Sequence, residues 1–315
     1  MSEKLTYRYQ KAWENDLFYG INLSSDIEGS IKRGYGIDEN VKLHNGIKNP
    51  LSSQAACFNV LGSMKTNKEL LLKFLNHFSL GIQEIIDFPQ GINIGNRIYN
   101  DVGPVIFEWV GPKQSPINEV GGGRGFGRTS IDAYLLAMIK NKVTQILIEW
   151  KFSEKYETGI NLHKFGGKKG IERLRRYSDV LDKFRRSHNF PFNFMEEGSI
   201  GLYDFGYEPL YQLMRVTLLA KTTTPLIFQG SLQVENYRVI HFAHSANEPL
   251  LTLSRENIKY CPGLTEFVGK RIHDVWSNDI LTEEERTHFT HGYWDTALPE
   301  LPDSTMKDYL IIRYG

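Results

Sequence analysis

Two apolar runs separated by a short polar turn dominate the pattern of this chain. Ile131 to Ile139 (IDAYLLAMI) and Thr144 to Phe152 (TQILIEWKF) flank Lys140-Asn-Lys142 and predict a β-hairpin. Upstream, Ser52 to Leu61 reads as a short helix, with a serine to cap its first turn and Gly62 to end it. Lys68 to Phe78 has apolar residues at 70, 71, 74, 75 and 78, a helical period, and Pro104 to Val110 suits a strand. Gly121 to Arg128 (GGGRGFGR) is a loop. Downstream, Ile171, Leu174, Tyr177, Leu181 and Phe184 recur every three or four residues and predict an amphipathic helix over 168–186. Glu208 to Ala220 reads as an apolar helix and Tyr237 to Ala243 as a strand. The order is helix, strand, strand, strand, helix, strand, with an inserted basic helix: an α/β protein. The first fifty residues show no period. Beyond about residue 250 the pieces are short, acidic and aromatic and suggest a small helical cap.

At 315 residues, 41% hydrophobic and 23% charged, the chain has the composition of an ordinary globular protein with a sizeable core. No apolar run approaches the roughly 20 residues that span a bilayer. The N-terminus lacks the basic-then-apolar pattern of a signal peptide. Two cysteines, Cys57 and Cys261, are too few for a disulfide framework or a thiolate zinc site. A cytoplasmic location is the expectation. The net charge is zero, yet charge is segregated: residues 164–186 hold nine Lys/Arg against three acids, and residues 266–308 hold ten acids against four basic residues. A local basic face suits phosphate contacts even where the sum vanishes.

The hairpin also carries the candidate chemistry. Asp132 interrupts the first apolar run, and Glu149 and Lys151 end the second. Residues two apart on a strand project on one face, so Glu149 and Lys151 lie together while Trp150 points away and leaves its backbone carbonyl available. An unpaired carboxylate is costly to bury, and two acids on adjacent strands are explained by a shared cation. Cleaving a phosphodiester needs an activated water and stabilised charge, which Mg²⁺ supplies from one or two carboxylates plus waters, with Mn²⁺ able to substitute. In that reading Asp132, Glu149 and the Trp150 carbonyl hold the metal, Lys151 orients water or phosphate, and Glu108 is a further carboxylate candidate. The competing reading is a solvated acid-x-Lys triplet, common at strand ends.

The acid on one strand followed by acid-x-Lys on the next resembles the signature of the PD-(D/E)XK nuclease superfamily, whose core is α-β-β-β-α-β. Ile131 stands where that family usually has proline. The helix with Gln212-Leu-Met-Arg215 is similar to the family's helix after the motif strand. Ser52-Ser-Gln54, Thr129-Ser-Ile-Asp132, Ile148-Glu-Trp-Lys151 with Glu154, and Tyr211 to Arg215 further resemble a prokaryotic restriction-endonuclease-like group encoded beside Argonaute-related proteins. The resemblance implies a nuclease core over 51–250 with a basic helical insertion near 160–190. Residues 1–50 would be an N-terminal extension packed on that core, and 251–315 an acidic segment of the same domain. It implies a metal-dependent DNA endonuclease acting as a defence effector, restriction-like or triggered by an Argonaute partner, and a homo-oligomer (dimer or tetramer) if both strands are cut. The alternative is a non-catalytic nucleic-acid-binding or assembly module on the same fold.

Candidate DNA contacts are Arg124 and Arg128 in the glycine loop, Lys168, Lys169, Arg173 and Arg176 on the basic helix, and Gln212 and Arg215 one turn apart. The glycine loop precedes a strand and lacks the lysine of Gly-Lys-Ser/Thr, which argues against a P-loop or dinucleotide fingerprint; a nucleotide-binding enzyme using this loop is the third reading. Glu154 lies past the strand end, able to reach the rim. His241 and His244 are too far out of phase on a strand to pair on a metal, and His288 and His291 would share a helix face without a third ligand.

Overall fold

The computed structural model describes residues 51–315 apart from 95–96, 100–102, 121–126, 155–161, 194–199, 229–231 and 257; before residue 51 it describes only Leu43 and the strand pair Leu17–Phe18 and Ile21–Asn22. Two helices open the core. They are α1 (Ser53–Cys57), which runs on as a π-helical turn over Phe58–Gly62, and α2 (Lys68–Asn76). The strands β1 (Ile82–Ile86), β2 (Val105–Trp109), β3 (Ile131–Ile139) and β4 (Lys142–Trp150) follow. Then come α3 (Gly167–Arg186), α4 (Leu210–Thr222), β5 (Asn236–Ala243), β6 (Phe289–Tyr293) and α5 (Thr305–Tyr314). Ser52 caps α1 by accepting the Ala55 N–H, as its sequence position suggested.

The hairpin turn is tighter than the polar tripeptide implies. Ile139 pairs with Lys142, so only Lys140 and Asn141 form the loop, with φ of 50° and 59°. Two left-handed turn residues match the twist of the flanking strands and set the register of everything beyond them. The sheet runs β6-β5-β4-β3, and β1 and β2 lie end to end along the outer edge of β3. β2 pairs with Ile131 to Leu135 and β1 with Leu136 to Ile139, both antiparallel. β5 runs parallel to β4 and to β6, so the return from β4 to β5 is a crossover that carries α3 and α4.

Both faces of this sheet are covered, which is why its central strands are continuous apolar runs. On one face Tyr134, Leu136, Leu147 and Val239 share a core with side chains of α3 and α4. On the other Ala133, Ile146, Ile148 and Phe242 pack with α1, α2 and α5. One buried amide clamps α4 to the sheet. Gln145 Nε2 donates to the Ala220 carbonyl (3.1 Å) and the Thr223 and Thr224 hydroxyls (3.0 and 2.6 Å), while its Oε1 accepts from Tyr134 (3.0 Å).

Three expectations are corrected. Residues after 250 hold short helical pieces, as expected, but they do more than cap the fold: they supply β6, and α5 packs into the core beneath the sheet. β6 (FTHGY) lacks an apolar alternation because it is a parallel edge strand, and a Cβ on Gly292 would meet the Phe78 ring at 2.3 Å. His291 accordingly lies on a strand, opposite His241, and not on a helix face with His288. On α3 the buried stripe is Tyr177, Val180 and Leu181, and Ile171 faces outward at 52% exposure.

Candidate active site

Register alone brings the acids into one row. Glu108 lies between the pairs Phe107↔Ala133 and Trp109↔Ile131, which sets it opposite Asp132. One step beyond the pair Ala133↔Ile148, Asp132 comes opposite Glu149, and Glu149 pairs with His241 on β5. Directly opposed residues share a face, so three carboxylates from β2, β3 and β4 line one end of the sheet. They open on a cavity of about 480 Å³, which Gln54, Ser130, Lys151, Gln212 and Arg215 also line. Trp150 reaches it only through its backbone, because the indole is buried on the other face against Trp294.

Each acid is held by a different element. Asp132 Oδ2 accepts the Trp150 N–H at 2.7 Å, closing the hairpin where regular pairing stops. Glu108 has a φ of 57°, a left-handed conformation rare for a side chain of its size. Its oxygens accept from Gln54 Nε2 (2.5 Å) on α1 and from the Ser130 hydroxyl (2.7 Å). Glu149 and Lys151, 3% and 4% exposed, form an ion pair at 2.5 Å. Burial pushes the Glu149 carboxyl above its usual range; Lys151 opposes this, and Glu208 and Glu108 add to it. The buried Cys57 thiol is pushed up too, by burial first and then by the charges of Asp132, Glu108 and Glu149, so all three acids act on one point beneath the row. At the rim Glu154 accepts from the Phe152 N–H (2.7 Å) and the Ser53 hydroxyl.

The donor set is all oxygen, as a hard divalent cation requires. Among the described residues no three Asp, Glu, His or Cys side chains are placed so that together they could hold a metal ion. Mg²⁺ takes one or two carboxylates and completes its shell with water and substrate. Asp132 and Glu149 fit this, with the Trp150 carbonyl and Glu108 beside them.

The basic candidates divide. Arg124 lies outside the described residues. Arg128 lines the same cavity; it is buried and donates to the Pro112 and Lys113 carbonyls (2.5 and 3.2 Å). Lys168 and Lys169 are exposed on α3, Arg176 is half-buried, and Arg173 donates to the Lys164 carbonyl (2.8 Å). Gln212 and Arg215 line the cavity. Glu119, which grips Arg215 at 2.9 Å, had no signal in the sequence: it sits in an irregular stretch without periodicity. His241 and His273 pair at 2.6 Å in the core.

A mixed central sheet flanked by helices is consistent with a restriction-endonuclease-like fold. The family model described as "Restriction Endonuclease associating with ARP" matches residues 3–315, and the chain belongs to that family. ARP denotes Argonaute-related proteins. Comparison with curated proteins and with solved structures gave no match. Among the described residues no helix is long and apolar enough to cross a membrane.

Proposed function

We propose that this chain is a Mg²⁺-dependent endonuclease that hydrolyses DNA phosphodiester bonds, working as a prokaryotic defence effector with an Argonaute-related partner. The observation that carries this reading is the row of Glu108, Asp132 and Glu149 beside Lys151 on one cavity. Asp132 and Glu149, with the Trp150 carbonyl, are the groups that would hold the cation. When bound, Mg²⁺ supplies an activated water and offsets charge developing on the phosphate. Lys151, buried against Glu149, orients that water or a phosphate oxygen. Glu108, fastened by Gln54 and Ser130, supports the row from β2. Exposed Lys168 and Lys169 on α3 would meet the DNA backbone as point charges. Cutting both strands would need two such sites, hence two copies of the chain.

Supercoiled plasmid with Mg²⁺ should be nicked or cut by the chain in complex with its partner, and left intact by the same complex carrying Asp132→Ala or Lys151→Ala. Equal cutting by those variants refutes the assignment. A second reading, a non-catalytic DNA-binding or assembly module, is favoured by one observation: each acid of the row is engaged by a protein donor. Salt-sensitive DNA binding without cutting under any activating condition would select it.

A further inference from the structure

Arg215 is held in an unusual way for a cavity arginine. The buried Glu119 carboxylate accepts the Thr129 N–H at 2.6 Å on one oxygen. On the other it accepts the Thr129 hydroxyl (2.8 Å), the Tyr177 hydroxyl (2.9 Å) and Arg215 Nε (2.9 Å). Arg215 Nη2 lies 2.9 Å from that same oxygen, and the guanidinium carbon lies 5.1 Å from the centre of the Tyr211 ring. One edge of the guanidinium is therefore fastened to a carboxylate that Thr129 and Tyr177 also hold. Nη1 has no hydrogen-bond partner among the described residues, and the side chain lines the cavity that holds the acid row. Burial works against the charge on Arg215, but Tyr177, Glu119, Tyr211 and Glu208 together hold it protonated.

A planar guanidinium fixed along one edge presents its remaining donors in one direction, which suits a tetrahedral oxyanion better than a mobile lysine does. The acid row by itself repels a phosphate, so a fixed cation lining the same cavity is the complementary half of the site. We propose that Arg215 receives the scissile phosphate and that Glu119 and Tyr177 are positioning residues that aim it. This rests on the nuclease reading above. Because Tyr177 belongs to α3, whose outer face carries Lys168, Lys169 and Arg175, the same helix that meets the backbone also steadies the cavity arginine.

The test is binding of a short DNA duplex by the full chain across a salt series, with Ca²⁺ replacing Mg²⁺, followed by anisotropy. Each phosphate contact contributes a slope of roughly −0.9 in log K against log salt. Arg215→Ala should make the slope shallower by about that amount, and Lys307→Ala, on α5 away from the cavity, should leave it unchanged. In single-turnover cutting, Arg215→Ala should lose about 10²- to 10³-fold, with partial recovery on adding guanidinium and an intermediate rate for Arg215→Lys. Glu119→Gln should lower the rate while changing duplex affinity little. An unchanged slope for Arg215→Ala, or a rate loss that guanidinium does not rescue in a folded variant, overturns the proposal while leaving the nuclease reading standing. A wild-type chain that does not bind DNA at all sinks both.

Discussion

Replacing Lys151 with Met removes the positive half of a buried ion pair, and its cost follows from the surroundings. Glu149 would be left 3% exposed with Glu108 and Glu208 acting on it and no compensating ammonium. Stranding one partner of a buried pair typically costs about 3–5 kcal/mol. Protonation limits that cost. Burial already pushes the Glu149 carboxyl above its usual value, and without Lys151 it rises further. A carboxyl with a raised folded pKa binds a proton more readily folded than unfolded. Its stability contribution is complete below the unfolded pKa and is lost as pH rises through the folded one. The variant should therefore lose roughly 1.4 kcal/mol per pH unit within that window. Urea denaturation in EDTA should show Lys151→Met about 3 kcal/mol less stable than wild type at pH 8, with a smaller deficit at pH 6. The double variant Glu149→Gln/Lys151→Met should lose this extra pH dependence and return close to wild-type stability. A single variant within about 1 kcal/mol of wild type at both pH values would refute the claim that this pair is buried and mutually dependent.

Two further outcomes follow from the core. His273 is buried, and burial followed by the charges of His291 and Arg271 lowers its pKa to about 3. Between the ordinary histidine range and that value the unfolded chain binds the extra proton, so this stability is full above about pH 6.5 and drains as pH falls; denaturation midpoints from pH 7 to pH 5 should decline, and less steeply in His273→Gln. Gln145→Leu strands the Tyr134 hydroxyl and loosens the end of α4, and should cost about 2–3 kcal/mol by urea titration; a loss under about 0.5 kcal/mol would mean the clamp contributes nothing.

Much of this arrangement was legible before folding because it is local. The hairpin, its polar interruptions at Asp132, Glu149 and Lys151, and the helices over 167–186 and 210–222 follow from periodicity and from the cost of burying charge. What was not legible depends on contacts between distant segments. Glu119 meets Arg215 across 96 residues, from a stretch with no period. Gln54 finds Glu108 across 54 residues, and nothing in the strand pattern separates Glu108 from an ordinary half-solvated glutamate. β6 escaped detection because five residues containing a glycine and a histidine carry no strand period; pairing with β5 makes them a strand. Ile171 counted toward an apolar stripe but turned outward, because the true stripe passes through Val180.

The central claim is that the acid row holds a divalent cation, and it can be tested without a partner or a substrate. Titration of the full chain with Mn²⁺, followed by electron paramagnetic resonance of the free ion, should show saturable binding in wild type. In folded Asp132→Asn and Glu149→Gln chains that binding should weaken at least about tenfold, the scale on which losing a coordinating or supporting group is felt. Mn²⁺ affinity that is identical in wild type and both variants would contradict the account, because the cation would then reside somewhere other than between β3 and β4.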